Sequence, residues 1–380
     1  MISEVTFANM GAPLVMASEK MTLNALSAIR SFAIRASLRP NELTAYERVV
    51  LARIEKDLRV FGRDIRKFSD EQIAQAYIRG VRDAEVTAKR LGRPVDSTSP
   101  IPGRQVFSPT MLPTSESATR QLTQAGLSAH TGYVGAFQQA ALNDGATMQM
   151  MILRETRDVL RTIQIEASTA QFLEADTLTR RAFTQDIMNR IANDGIPAVR
   201  YADGRMVSTE AYSEMVARTT LGNSARQGAI NRSAEMGNDL VRMSTHARSS
   251  PMCEPWEGEV YSLSGTSDKY TDLQTAIDGG AFHPNCKHSL NPYYEGISPE
   301  LQPDGTPEEN LLGNAVTYQA EQEQRYYERG IRQWKRREAV ALTPEDAERA
   351  KAKVSAWQAK QREHLEENQY LKRQYARESI

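Results

Sequence analysis

The chain has only two cysteines in 380 residues. So sparse a set builds no disulfide framework, and the sequence reads as one synthesised and folded in a reducing cytoplasm. No apolar run nears the roughly 20 residues needed to span a bilayer. The N-terminus, MISEVTFANMGAPLVMASEK, lacks a basic leader, and Glu4 and Glu19 bracket its short apolar stretch, which argues against a signal peptide. An excess of one charge is also missing: 47 Lys and Arg stand against 48 Asp and Glu, a formal net charge of −1. A protein that wraps duplex DNA as its main task carries a basic excess, so bulk DNA binding is disfavoured, while a local basic patch stays open. There is no G-x-x-x-x-G-K-[ST] loop, no G-x-G-x-x-G after a strand and no G-x-S-x-G elbow. Nucleotide binding and serine hydrolysis are therefore unsupported, and no residue is assigned a catalytic role. No solenoid-type repeat is present.

What is there is globular in composition, 40% hydrophobic and 25% charged. The first forty residues show no clear period. Tyr46, Val50, Ile54, Leu58 and Phe61 then recur at helical spacing, and Gly62 is expected to end that run. Ser69, followed by Asp70, Glu71 and Gln72, marks a second helix start that carries Ile73, Tyr77, Val81 and Ala84. Pro94, Pro100, Pro102, Pro109 and Pro113 define a linker, because proline supplies neither the donor nor the dihedral freedom of helix or central strand. Helical order resumes from Ser115 to Asp194, with breaks expected near Asn143-Asp144-Gly145 and Ser168. Met148, Met150, Met151, Ile152 and Leu153 read as part of a buried helix, with an adaptable contact surface as the other option. Asp203-Gly204 between two short apolar runs signals a hairpin. Ser208 caps the next helix, a further helix spans Ala225–Met236 and stops at Gly237, and Val241–Thr245 reads as extended. Thr343, Pro344, Glu345 and Asp346 form a complete helix start.

These patterns predict a mainly α protein with a small α+β core. Its consecutive regions are a helical N-terminal region (1–91), a Pro-rich linker (92–114), a helical region (115–194), a core with a hairpin and a Cys/His loop (195–300), and charged C-terminal helices (316–380). Two thin apolar seams, Tyr327–Ile331–Trp334 and Val354–Trp357–Leu365–Leu371–Tyr375, need a partner, either this chain or another subunit.

Both cysteines and three of the five histidines fall in one segment: His246, Cys253, His283, Cys286 and His288. The spacing is H-x6-C, a long loop, then H-x2-C-x-H. Zn²⁺ takes four N or S ligands in a tetrahedron, and paired donors at each end of a loop follow the logic of a structural site. All five residues are metal candidates, although the spacing matches no standard finger. Two other arrangements stay open: buried cysteines packed as small hydrophobes, and a Cys253–Cys286 disulfide. His283, Asn285 and His288 with Asp278 also raise a zinc-dependent nuclease, although Asp278-Gly279-Gly280 is more cheaply a turn. Arg325–Arg337 (RYYERGIRQWKRR) is basic with aromatics between. It could meet packaged DNA, or it could be a helix with a solvated basic face and an aromatic inner stripe.

From Gly195 to Gly296, and again more loosely in the C-terminal helix region, the chain resembles the minor capsid protein 2 family of tailed bacteriophages. The matching pieces run in order: Tyr201, Gly204-Arg205, Tyr212, Met215, Arg218-Thr219-Thr220, Gly237, Asp239-Leu240-Val241, Ser244, His246, Trp256, Gly258, Val260-Tyr261-Ser262, Asn285-Cys286-Lys287-His288 and Pro292-Tyr293. The family is similar to Mu-type head morphogenesis proteins, whose Cys/His core ends in H-P-x-C, here His283-Pro284-Asn285-Cys286. A second cysteine often follows there; this chain has His288 instead, and its upstream pair is reduced to Cys253. The resemblance implies a non-enzymatic virion component in several copies, built in the host cytoplasm and placed inside the head or at the portal vertex. It would contact portal and major capsid proteins and act in head assembly and DNA packaging or exit.

Overall fold

The computed structural model describes residues 4–39, 42–96, 99–101, 106–107, 110–172, 176–302 and 305–380. Its helices are α1 (Glu4–Leu38), α2 (Leu43–Arg90), α3 (Glu116–Gln124), α4 (Thr131–Phe172), α5 (Thr177–Asp194), α6 (Thr209–Glu235), α7 (Leu273–Asp278), α8 (Pro307–Leu312), α9 (Asn314–Ala339) and α10 (Pro344–Glu367). The strands are β1 (Pro197–Arg200), β2 (Met206–Ser208), β3 (Leu240–Met243), β4 (Val260–Ser262), β5 (Thr271–Asp272) and β6 (Leu290–Pro292). The protein is mainly α with a small α+β part. Two compact units form, each from three stretches: 1–14, 65–143 and 214–319 in the first, and 15–64, 144–213 and 320–380 in the second. The dividing points fall inside α1, α2, α4, α6 and α9. The regions read from the sequence follow chain order, whereas each unit is assembled from three separated stretches.

The expected helix breaks are absent. α2 continues through Gly62 and Ser69, and α4 continues through Asn143-Asp144-Gly145 and Ser168. Two of these positions have a tertiary use instead. Ser69 is buried and its hydroxyl donates to the carbonyl of Gln138 (3.3 Å), while Gln138 Nε2 donates back to the Ser69 carbonyl (3.0 Å). Asp144 accepts a hydrogen bond from Tyr212 Oη at 3.0 Å. The helical order also starts earlier than expected. In α1, Ala25, Ala28, Ile29, Phe32, Ala33 and Ala36 are buried together with Ser18 and Thr22. That face is broad and made largely of small or hydroxylated side chains, so hydropathy leaves it unmarked. In α4, Met148 and Ile152 are buried and Met150 is exposed.

In the first unit, α2 and α6 approach backbone to backbone. A Cβ on Gly80 would stand 1.9 Å from the carbonyl oxygen of Ala225, and one on Gly228 would stand 2.3 Å from that of Tyr77. α6 is one helix, not two. It ends in a Schellman motif in which Asn238 N donates to Ser233 O and Gly237 N to Ala234 O, with Gly237 at φ 72°. The chain then enters a four-stranded sheet of order β5-β4-β3-β6. β3 is antiparallel to both neighbours, with Val241 opposite Tyr261 and Pro292, and β4 is parallel to β5. Beneath it lies a core of Ile230, Val241, Met243, Tyr261, Leu273, Phe282 and Leu290, together with Cys253 and Cys286. Part of the Pro-rich linker packs here: Val106 and Phe107 lean on this core, and both their backbone N–H groups donate to Gln227 Oε1. Pro102 and Pro109 lie outside the described residues.

In the second unit, the β1–β2 hairpin forms as expected, with Val199 opposite Val207 and Gly204 at φ 85° in the turn. Thr343 caps α10 by accepting from Asp346 N at 3.1 Å. The two C-terminal seams close on the chain itself. The Trp357 ring lies 5.2 Å from Tyr326 and packs so closely on α9 that a Cβ on Gly330 would meet it at 2.5 Å. His364 Nε2 is 2.9 Å from the carbonyl of Ala320. The seam leaves the helix at Asn368, and Tyr375 is exposed in a short 3₁₀ turn rather than buried on a longer helix.

Candidate metal centre

Three of the five candidate ligands converge. Among the described residues, Cys253, Cys286 and His288 are the one group of His, Cys, Asp or Glu side chains whose donor atoms could hold a metal ion, all within 4.8 Å of one another. Cys253 opens the 3₁₀ turn Glu254–Trp256 after β3, where its own N–H donates to Ser250 O and its carbonyl accepts from Trp256 N. Tyr261 Oη then donates to the Trp256 carbonyl (2.7 Å), tying that turn to β4. Cys286 arrives from the other side, in a tight turn where Phe282 (φ 59°) and Asn285 (φ 70°) are left-handed. A bulky residue in that region costs roughly 1–2 kcal/mol, and the Phe282 ring is held there edge-on to Phe107 at 5.5 Å.

The sulfur atoms of Cys253 and Cys286 are 3.7 Å apart, and Cys286 Sγ is 3.2 Å from His288 Nδ1. Both cysteines are free thiols, so the disulfide is not formed; a bonded pair would lie near 2.0 Å. His288 turns its other nitrogen, Nε2, to Glu257 Oε1. The same carboxylate oxygen accepts from the His246 backbone N–H at 3.1 Å. Arg226 of α6 is fully buried, donates to the His288 carbonyl (2.7 Å) and to Asn223 Oδ1 (2.5 Å), and stands over the Phe282 ring at 5.0 Å.

The electrostatics separate the two thiols. The hydrogen bond between them, then burial, pushes Cys253 up. The same bond holds Cys286 well below the usual thiol value against the opposing effect of burial, helped by His288 and Arg226. Burial disfavours a charged His288, yet its hydrogen bonds to Cys286 and Glu257 outweigh that and raise it. Without a ligand the cluster therefore favours a thiolate at Cys286 beside a charged imidazole. A thiolate, an imidazole and a carboxylate in line also have the composition of a nucleophilic relay. Cys253 is 0% exposed and Cys286 and His288 are 4% exposed, so this relay offers no approach to a substrate.

The other two candidates stand apart. His283 is half-buried and turned away from the cluster, with Nδ1 2.7 Å from the carbonyl of Pro284. His246 is nearer, its ring 4.7 Å from that of His288, but its Nε2 is 3.1 Å from the carbonyl of Lys287. Asp278 sits at the end of α7, accepting from Gln274 Nε2 at 2.9 Å beside the Gly279-Gly280 turn. It does not join His288. Sequence reasoning passed over Glu257 and Arg226. Both are charged residues whose partners are distant in the chain, and neither belongs to a local pattern.

The basic run of α9 is largely engaged within the chain. Arg325 pairs with Glu321 at 3.0 Å, Arg332 donates to the Arg377 carbonyl, and Lys335 donates to that of Glu378 at 2.8 Å. Arg336 is buried and donates to the carbonyls of Ala192 and Asn193, the negative end of α5. Arg337 donates to Asn193 Oδ1 and lies over the Trp334 ring at 4.4 Å.

Comparison with known proteins places the chain among phage structural proteins. It belongs to the family described as phage minor capsid protein 2, whose model matches residues 114–366. It is 30% identical over 187 residues to a structural protein of Lactococcus phage LL-H, a match covering 46% of this chain and 49% of that protein. It is 36% identical over 113 residues to a structural protein of Lactococcus phage mv4, covering 29% of this chain and 88% of that one. The chain thus spans about half the length of the LL-H relative. No solved structure matches it. Among the described residues, no helix is long and apolar enough to cross a membrane.

Proposed function

We propose that this chain is a minor head protein, held inside the capsid or at the portal vertex, that acts in head assembly and DNA packaging or exit. It works through contacts with portal and major capsid proteins, in several copies per virion, and not by catalysis. Family membership over residues 114–366 carries the reading. Two physical observations agree with it. The Cys253–Cys286–His288 cluster, whose composition could suit catalysis, is buried, at 0%, 4% and 4% exposure. At the α8–α9 junction, Leu311, Leu312 and Val316 expose apolar surface, with Leu311 87% exposed, as contact surfaces do. The donors of Arg325–Arg337 are mostly occupied, so the reading rests on protein partners rather than on that run gripping DNA.

The test is fractionation of infected cells and purified particles, with quantitative mass spectrometry of each fraction. The chain is expected to co-sediment with portal-containing heads at a fixed ratio above one per particle. Recovery only as free protein sinks the proposal.

A further inference from the structure

We propose that Cys253, Cys286 and Nδ1 of His288 bind one thiophilic metal ion of the zinc class, as a brace for the sheet-bearing core, with Glu257 as the positioning residue. This site is independent of where the chain stands in a virion.

The geometry carries the argument. A zinc–thiolate bond is about 2.3 Å long, so the sulfur–sulfur edge of a tetrahedral site is about 3.8 Å. The sulfur atoms here are 3.7 Å apart. They come from two turns that share no regular structure, one after β3 and one before β6. The third donor is already aimed. Glu257 occupies Nε2 of His288, which leaves Nδ1 directed at the sulfur of Cys286. A carboxylate on the far nitrogen is the usual support of a metal-bound imidazole, and it fixes both ring orientation and tautomer. The carboxylate is itself held by the His246 N–H.

Charge agrees with this. Two thiolates and a divalent cation are neutral together, and the flanking Glu257 and Arg226 also cancel. The soft S₂N donor set selects zinc over magnesium or calcium, which take oxygen ligands. The strands around the site have two to four residues each, so the sheet alone orders little of the 244–289 stretch. A cross-link between its two ends supplies what hydrogen bonding does not. The chain contributes three ligands; His246 could become a fourth only by giving up its contact with the Lys287 carbonyl.

The test uses the full chain, purified without chelator and without a metal-affinity resin. Metal is measured by elemental mass spectrometry, and thiols are counted with a chromogenic disulfide before and after a strong chelator. The expected result is about one zinc per chain, with both thiols silent until the metal is withdrawn. Replacement by Co²⁺ is expected to give the near-ultraviolet thiolate-to-cobalt band. Glu257→Gln is expected to weaken zinc binding about 10–100-fold in a chelator competition while keeping the fold. His283→Ala is expected to leave zinc content unchanged. Metal-free protein with two reactive thiols overturns the proposal, and so does protein with no free thiol after denaturation. Loss of zinc in His283→Ala overturns the ligand set, and unchanged affinity in Glu257→Gln overturns the positioning role. Cys286→Ser is expected to lose the zinc; should it fail to fold, the wild-type competition and the Glu257→Gln comparison still decide.

Discussion

The hydroxyl of Tyr77 lies 2.7 Å from Nδ1 of His130, at the middle of a hydrogen-bond chain that runs in one direction. Gln227 Nε2 donates to Asn231 Oδ1 (2.8 Å), and Asn231 Nδ2 donates to the Tyr77 oxygen (2.5 Å). The Tyr77 proton then goes to Nδ1 of His130, so the ring carries hydrogen on Nε2, 2.5 Å from Glu235 Oε1. At the other end, Gln227 Oε1 accepts the N–H groups of Val106 and Phe107. One buried network thus ties α2 and α6 to the Pro-rich segment and to the turn before α4.

Tyr77→Phe keeps the ring and deletes the link. It leaves a donor on Asn231 and an acceptor on His130 without a partner, in a region where Tyr77 is 0% and His130 5% exposed. Stranding a buried polar group costs about 1–3 kcal/mol. A lowered denaturation midpoint is expected, with the larger loss in Tyr77→Phe than in Asn231→Ala/Tyr77→Phe relative to Asn231→Ala. Equal losses in the two backgrounds would show that the bond carries no coupling.

Gly62 and Gly80 both sit inside α2, and they should respond oppositely to alanine. Removing a helical glycine gains about 1 kcal/mol of propensity in either place. At Gly62 the new Cβ meets the side-chain amide of Gln149 at 3.0 Å, the movable end of a flexible side chain. At Gly80 it meets the Ala225 backbone oxygen at 1.9 Å, and α6 cannot retreat without breaking its own packing. Overpacking of that kind costs about 1–3 kcal/mol and occasionally more. Thermal melts are expected to show Gly62→Ala neutral or stabilised and Gly80→Ala clearly destabilised. A stabilised Gly80→Ala would refute the close crossing.

That pair also explains what the sequence made legible. Signals that act over one turn were readable: the Val50–Phe61 stripe, the Asp203-Gly204 hairpin, the Thr343-Pro344 helix start and the Gly237 stop. Signals worth about 1 kcal/mol, such as a glycine or a serine within a helix, were overridden wherever packing was stronger, as at Gly62, Ser69 and Gly145. α1 escaped notice because alanine, serine and threonine bury without announcing it. At the candidate site, composition marked all five of His246, Cys253, His283, Cys286 and His288, and only folding brings Cys253, Cys286 and His288 together. The carboxylate behind His288 and the guanidinium of Arg226 could not be read, since each is defined by a partner 31 or 62 residues away.

Glu235 gives the network a pH dependence whose sign can be worked out. Burial pushes its carboxyl up, but hydrogen bonds from His130 and Arg232, and the charge of Arg232, more than reverse this and hold it below the usual value. A carboxyl depressed in the folded state stabilises fully above its unfolded value, about 4.3, and that contribution is lost as pH falls through the folded value. The side chain is 37% exposed, which screens the interaction and limits it to about 1 kcal/mol at neutral pH. Glu235→Gln is therefore expected to be less stable than wild type near neutrality, with the gap closing as pH falls below about 4.3. Denaturant titrations of both proteins across that range check it. A gap that stays constant or widens in acid would mean that the Glu235 charge does not act through His130 and Arg232.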